Sequence, residues 1–386
     1  MPHSLTGRHF FIFILPFSIF LFQFPAILQP MQGLSKITIT QFKNYDFKTF
    51  NFTERVVGIC GLNGKGKTNL LDAIYYLCFT KSYFARTDAM NVQFGKDGFR
   101  LEGLIDHNKI TCIHRGTGKK EFYLNDVEYN KFSEHIGKFP AVMIAPDDVE
   151  LITGASEERR RYMDTVLSQV DAGYLQQLIQ YNKVLQQRNS LMKRFAEQGK
   201  TDWSLLEVID DQLVVPGNYI HAKRRSFTEQ LIPLVQNFYQ QIANNNEIVT
   251  LQYESQLNKT GFYELLNQVR EKDFYLQRSN AGIHKDDLGI QLNGQVFKNI
   301  ASQGQRKSLL FAMKLAEFEI LRLDKSLAPI LLLDDVFEKL DDNRMQHLMQ
   351  WVCCENKGRV FITDTHAERL RETLGSLKVD YQVIEL

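Results

Sequence analysis

Three stretches of this chain carry residue types and spacings that could do chemistry. Gly61-Leu62-Asn63-Gly64-Lys65-Gly66-Lys67-Thr68 has the spacing of a P-loop. Gly61, Gly64 and Gly66 would let backbone N–H groups turn inward around phosphate oxygens, where side chains would obstruct them. Asn63 lies in that loop and Asn69 follows it, at a helix N-terminus whose partial positive charge favours an anion. Lys67 would reach the terminal phosphates of a nucleoside triphosphate, and the Thr68 hydroxyl would ligate Mg²⁺. The second stretch is Asp334-Asp335, behind the apolar run Ile330-Leu331-Leu332-Leu333. A hidden strand ending in a carboxylate is what a Mg²⁺-organising Walker B segment requires, so Asp334 would support the metal. Asp335 stands where a base could polarise water for attack on the γ-phosphate; two carboxylates capping a helix are the structural alternative. The third stretch, Ser302-Gln303-Gly304-Gln305, is a glycine-containing polar turn before a helix, and alone it says little.

These residues need particular elements to hold them. Val56-Val57-Gly58-Ile59-Cys60 reads as the strand entering the P-loop, and Leu70, Ile74 and Leu77 recur at helical spacing after it. Lys36 to Thr40 alternates as a half-buried strand does, and residues 99–130 read as a β-meander turning at Asn125-Asp126. Ala141-Val142-Met143-Ile144 is a short buried run. From Ser156 the period becomes helical, with interruptions, notably Pro216-Gly217, to about residue 272. That block carries Arg159-Arg160-Arg161, Lys193-Arg194 and Lys223-Arg224-Arg225, which fit solvated helix faces as well as a phosphate-binding surface. Ile290 to Phe297 reads as a hairpin turning at Asn293-Gly294. Ile330–Leu333 and Val360–Thr363 read as neighbours in a parallel sheet.

The chain of 386 residues has room for two domains, and its net charge of +1 makes any basic surface a local patch. Five cysteines without a CxxC pair fit reduced thiols in a cytosolic protein, which is also where ATP is found. Phe10 to Phe22 imitates the core of a signal peptide, but Pro16 interrupts it and no small-residue cleavage site follows. Residues 1–30 therefore read as a spurious upstream extension, in preference to a targeting segment, with Met31 as the real start.

With Walker A and B in place, Ser302 to Ser308 resembles the signature of ABC-type ATPases, in which one subunit closes over the γ-phosphate bound by another. Residues 31–386 as a whole resemble the RecF family of bacterial recombination and gap-repair ATPases, related to SMC heads. The resemblance rests on Phe42-Lys43-Asn44-Tyr45, the P-loop through Asn69, Lys81-Ser82-Tyr83-Phe84 and Ala145-Pro146-Asp147-Asp148. It continues through Glu158 to Asp164, Gly282-Ile283-His284-Lys285-Asp286-Asp287, Ser302 to Ser308 and Leu331 to Asp342. It implies an α/β fold, an ABC-type P-loop ATPase head with a β-rich N-terminal lobe and an inserted α-helical arm. The head would comprise residues 31–150 and 279–386, and the arm 151–278. It also implies ATP and Mg²⁺ as cofactors, an ATP-dependent homodimer, and binding of gapped or junction DNA. Such a protein would act in the cytoplasm with RecO and RecR, without stable membrane association, to help RecA replace single-strand binding protein. Ser302, Gly304 and Gln305 would reach the partner's nucleotide, and Asp335, where transporters usually carry Glu, implies slow, switch-like hydrolysis through a positioned water; the resemblance implies a weak, DNA-stimulated ATPase.

Three positions depart from the family pattern. Glu338-Lys339-Leu340-Asp341 stands where Ser-Glu-Leu-Asp is usual. Asp364 fills the switch-histidine slot, and His366, two residues on, reads as a surface histidine. Gln93 is the one candidate for a Q-loop glutamine. A transporter subunit would have a much shorter separation than that between Gly61 and Ser302. A kinase would need a substrate lid and no signature segment, and an OLD-type nuclease more chain after Asp335.

Overall fold

The computed structural model describes residues 33–199, 201–243, 247–325, 328–338 and 342–386. The extension at residues 1–30 lies outside them, and so do Lys339, Leu340 and Asp341 of the segment that departs from the family pattern. The described residues open with β1 (Leu34–Phe42), β2 (Tyr45–Asn51) and β3 (Val56–Cys60), then α1 (Lys67–Phe79). The meander follows as β4 (Phe99–Ile105), β5 (Asn108–His114), β6 (Lys120–Leu124) and β7 (Val127–Glu128), and β8 (Ala141–Ile144) ends the first half. Helices α2 (Glu150–Thr153), α3 (Ser156–Val170), α4 (Ala172–Gln198) and α5 (Trp203–Ala243) precede β9 (Val249–Glu254) and α6 (Phe262–Leu276). The chain returns through β10 (Asp287–Leu292), β11 (Gln295–Val296), α7 (Phe297–Ile300) and α8 (Gln303–Lys325). It closes with β12 (Ile330–Leu333), α9 (Asp342–Gln350), β13 (Val360–Asp364), α10 (Ala367–Ser376) and β14 (Tyr381–Glu385).

Five strands form the central sheet in the order β14-β3-β13-β12-β8, every pair parallel. β3, β8, β12 and β13 are buried along their whole length, because both faces of a parallel sheet are covered. Val57, Ile59, Leu332 and Phe361 pack with α1 and the N-terminal lobe. Val56, Leu331, Leu333 and Ile362, on the other face, pack with α8 and the helical region. The carboxyl ends of β3, β12 and β13 thereby deliver the P-loop, Asp334 and Thr363 to one edge, the ligand-binding end of an open α/β sheet.

The N-terminal lobe is a six-stranded antiparallel sheet ordered β2-β1-β4-β5-β6-β7. β4 alternates buried and exposed residues, and α1 packs tightly over Gly103, where a Cβ would lie 2.5 Å from Leu77 Cδ1. A third sheet, β11-β10-β9, turns at Asn293 (φ 51°) and Gly294 (φ 79°), as the Asn-Gly pair requires.

Two expectations need correction. Pro216-Gly217 does not interrupt the helical block: α5 runs through both Pro216 and Pro233 for 41 residues. Proline forfeits one N–H and crowds the preceding turn, but packing outweighs that cost here. Gly217 is where the Phe262 ring sits, a Cβ there falling 2.3 Å from Phe262 Cε1. The block is also not wholly helical. Val249-Thr250-Leu251-Gln252-Tyr253-Glu254 alternates buried and exposed and pairs antiparallel with β10, a period of two inside a longer helical pattern. Among the described residues no helix is long and apolar enough to cross a membrane.

Candidate nucleotide-binding site

β3 ends at Cys60, and the backbone then turns through Gly61 (φ 153°), Gly64 (φ 83°) and Gly66 (φ 108°) before α1 begins at Lys67. The turn is clamped from the β1–β2 connection. Tyr45 Oη donates to the Gly66 carbonyl (3.0 Å), Asn44 Nδ2 donates to the Lys65 carbonyl (3.1 Å), and Asn69 Nδ2 donates to Asn44 Oδ1 (2.7 Å). A Cβ on Gly66 would fall 2.6 Å from Asn44 Nδ2 and 2.9 Å from Tyr45 Oη. Nothing lies within 4 Å of a Cβ on Gly64, so the loop's outer side is open, with Asn63 exposed at its tip. Lys67 is buried and its Nζ donates to the Gly61 carbonyl (2.7 Å), which puts a cation inside the loop. Asp72 on α1 accepts from Lys43 Nζ, Ser82 Oγ (2.6 Å) and the Tyr83 N–H (2.7 Å). That carboxylate ties two of the family-like segments to the P-loop helix.

Across the crevice, Thr68 Oγ1 donates to the Asp334 carboxylate (2.9 Å to Oδ2, 3.1 Å to Oδ1). Thr363 Oγ1 donates to Asp334 Oδ1 (2.8 Å) and accepts from the Asp335 N–H (2.8 Å). Burial pushes the Asp334 carboxyl up, the hydrogen bonds from Thr363 and Thr68 opposing it. Asp335 sits at φ 46°, a left-handed conformation that Asp tolerates better than most residues. A hydroxyl and a carboxylate converging at this distance form a hard-oxygen donor pair suited to Mg²⁺, which takes one or two carboxylates plus phosphate oxygens.

Ser302, Gly304 and Gln305 are not joined to this constellation within one chain. Gln305 Oε1 accepts from the Ser302 N–H (2.6 Å) and Ser302 Oγ from the Gln305 N–H (3.2 Å), a reciprocal cap on α8. Gln305 Nε2 donates to Glu247 (2.7 Å), and a Cβ on Gly304 would lie 2.3 Å from Arg344 Nη1. The neighbouring residues Gln303, Arg306 and Lys307 do share a cavity of about 460 Å³ with Asp334, Ala145 and Pro146. Asp364 is buried and accepts from Arg369 Nε (2.8 Å) and the His366 N–H (3.0 Å). Burial would raise its carboxyl, but Arg369 and these hydrogen bonds hold it below the usual range. His366 is exposed, and the Gln93 N–H donates to the Gln41 carbonyl (2.9 Å).

The basic clusters divide. Arg159 is buried and grips Asp287 with two parallel bonds (2.6 and 2.9 Å), and Arg160 donates to the Asp286 carbonyl (2.6 Å). Arg224 is buried between Asp164 and Asp286 (2.8 and 3.0 Å). Arg161 and Arg225 are exposed beside glutamates. Sequence reasoning gave no part to Thr363; a threonine next to the aspartate that ends a buried, largely apolar strand was the available signal.

A parallel sheet with a P-loop, a Walker B strand and a signature-like helix start, joined to a β-rich lobe and an inserted helical arm, defines an ABC-type ATPase head. The model of the RecF/RecN/SMC N terminal domain matches residues 33–382. The DNA replication and repair protein RecF of Flavobacterium johnsoniae is 40% identical over 357 residues, covering 92% of this chain and 99% of that protein. RecF of Bacteroides thetaiotaomicron is 40% identical over 358 residues, covering 92% and 96%. A RecF-ATPrS structure, described as a recombination mediator protein in the RecFOR pathway, superposes with TM-score 0.81 at 30% identity, covering 92% and 97%. An Smc head from Pyrococcus furiosus, at TM-score 0.53 and 15% identity over 92% and 93%, shares the fold. The chain belongs to the RecF family of DNA replication and repair proteins.

Proposed function

We propose that this chain is an ATP-dependent DNA-binding protein of recombinational gap repair, working as a dimer that ATP closes and slow hydrolysis resets. The observation that carries this reading is the convergence of Lys67, Thr68, Asp334 and Asp335 at the carboxyl edge of one parallel sheet. The N–H groups from Gly61 to Asn69 would cradle the phosphates, and Lys67 Nζ would neutralise the terminal ones. Thr68 Oγ1 and Asp334 would hold Mg²⁺, which when bound neutralises charge on the β- and γ-phosphate oxygens. Asp335 would polarise the attacking water.

Ser302 and Gln305 engage each other, Gln305 engages Glu247 and Gly304 lies against Arg344, an arrangement away from their own P-loop that suits a role against the nucleotide of a second copy. We divide the chain into a head of residues 31–150 and 279–386 and an arm of 151–278. The closed dimer would clamp gapped or junction DNA and, with RecO and RecR, promote RecA loading in the cytoplasm. Four of the five cysteines are buried thiols and none is bridged, in keeping with a reducing compartment. DNA would stimulate the weak ATPase by favouring the closed dimer.

Sedimentation of residues 31–386 with ATP and Mg²⁺, with and without gapped duplex DNA, tests this reading. The expected result is an ATP-dependent dimer that retains DNA. Lys67→Arg should not dimerise, and Ser302→Arg should bind ATP yet remain monomeric. A protein that stays monomeric and ignores DNA would overturn the clamp.

A further inference from the structure

We propose that Thr363 is a positioning residue whose hydroxyl locks the two acidic side chains of the site to each other. This rests on the reading of Asp334 and Asp335 given above. The β12–β13 ladder pairs Leu331 with Val360, Leu332 with Phe361 and Leu333 with Ile362, and stops there. Asp334, Asp335 and Thr363 lie just beyond the last of these pairs, where backbone pairing with β13 no longer holds the end of β12. Thr363 is fully buried, and a buried hydroxyl must find partners for its donor and its lone pairs. It does so by replacing the missing ladder. Its O–H goes to Asp334 Oδ1 and its lone pair takes the Asp335 N–H, each at 2.8 Å.

Both bonds act on geometry that chemistry would use. The first fixes the rotamer of the carboxylate that also accepts from Thr68, leaving Asp334 aimed at the P-loop. The second captures an N–H whose residue is at φ 46°, outside the extended range in which a strand could have used it. The direction in which the Asp335 side chain leaves the backbone depends on that φ. One hydroxyl therefore sets where the metal-supporting carboxylate points and where the water-polarising carboxylate begins.

Thr363→Val keeps the branched shape but supplies neither bond; Thr363→Ser supplies both. The test is steady-state ATP hydrolysis by the full chain, with nucleotide binding followed separately by a fluorescent analogue. Thr363→Val should lose roughly 10- to 100-fold in kcat, the range seen for groups that orient metal ligands. It should also need more Mg²⁺ for half-maximal rate, while analogue binding stays near that of the parent and the unfolding midpoint drops, because the Asp335 N–H and Asp334 each lose a partner. Thr363→Ser should recover most of the loss. If Val does not fold, Thr363→Cys, close in volume and only a weak donor, gives the same contrast with Ser. A parental kcat in Thr363→Val, or an equal loss in Thr363→Ser, overturns the proposal. Asp335→Asn measured alongside separates it from the reading beneath it. A parental rate in Asp335→Asn defeats the assignment of Asp335 itself, whereas loss there with a parental Thr363→Val defeats only the role of Thr363.

Discussion

Gly66 meets two demands that no other residue type satisfies together. Its φ of 108° lies where an L side chain collides with its own backbone. The space a Cβ would occupy is already taken by Asn44 and Tyr45, whose hydrogen bonds hold the loop against the β1–β2 turn. The glycine spacing was legible in the sequence because a P-loop is a local pattern. Its clamp was not, since Tyr45 and Asn44 reach the loop from 21 residues upstream, and no periodicity reports that distance. Thr363 was hidden in the same way, its partners being 28 and 29 residues away. Gly66→Ala should twist the loop and push the clamp aside while leaving α1 and the sheet in place. A fluorescent-nucleotide titration should show at least a roughly tenfold loss of affinity, equivalent to about 1.4 kcal/mol, with unchanged far-ultraviolet circular dichroism. Parental affinity in that variant would mean that the cradle does not bind phosphate through this backbone.

At the scale of elements, strands and helices with one clear period were readable, and those that tertiary packing overrides were not. The meander of β4 to β6 and the buried runs of β3, β8, β12 and β13 needed only the alternation or continuity of apolar residues. α5 was obscured by its prolines, because the packing that stabilises it, including Phe262 against Gly217, belongs to another helix. The basic clusters were ambiguous for a related reason: a run of arginines looks the same whether it faces solvent or a buried acid. Arg224 on α5 resolves toward the interior. It binds Asp164 on α3, the Ile283 carbonyl and Asp286 ahead of β10, and Tyr253 on β9 donates to the same Asp286 (2.5 Å). One guanidinium thus joins two helices to the segment that leads back to the sheet. Arg224→Met should destabilise the protein by roughly 3–5 kcal/mol, because it leaves a buried carboxylate without its counter-charge. Adding Asp286→Asn should recover part of that loss in a urea titration. A double variant no more stable than the single one would show that the Arg224–Asp286 contact contributes little.

Across the whole molecule, buried titratable groups of opposite tendency set how stability follows pH. His135 in the N-terminal lobe donates through Nε2 to the Leu77 carbonyl (2.7 Å), and His284 in the segment leading to β10 contacts Tyr181 Oη (2.8 Å). Burial pushes both imidazoles down to about 4. Their unfolded counterparts titrate near 6.5, so the unfolded chain binds more protons below that value and stability falls on acidification from about 6.5 toward 4. Glu317 on α8 acts the other way. Burial pushes its carboxyl up to about 7, with Lys314 at 3.4 Å offsetting only part of the cost. Here the folded chain keeps the proton longer, so this group's contribution is intact below about 4.5 and is lost as pH rises through about 7. The two histidines oppose the glutamate on the acid side, and of these three groups only Glu317 still titrates above about 6.5. Glu317→Gln isolates its share. The stability difference between variant and parent, from urea midpoints at intervals from pH 4.5 to 8, should shift in the variant's favour by roughly 3 kcal/mol as pH rises, for a shift of this size. It should level off above about pH 7.5, once the parent's carboxyl has ionised. A difference that stays flat across the range would show that Glu317 is already ionised at acid pH and that Lys314 compensates its burial in full.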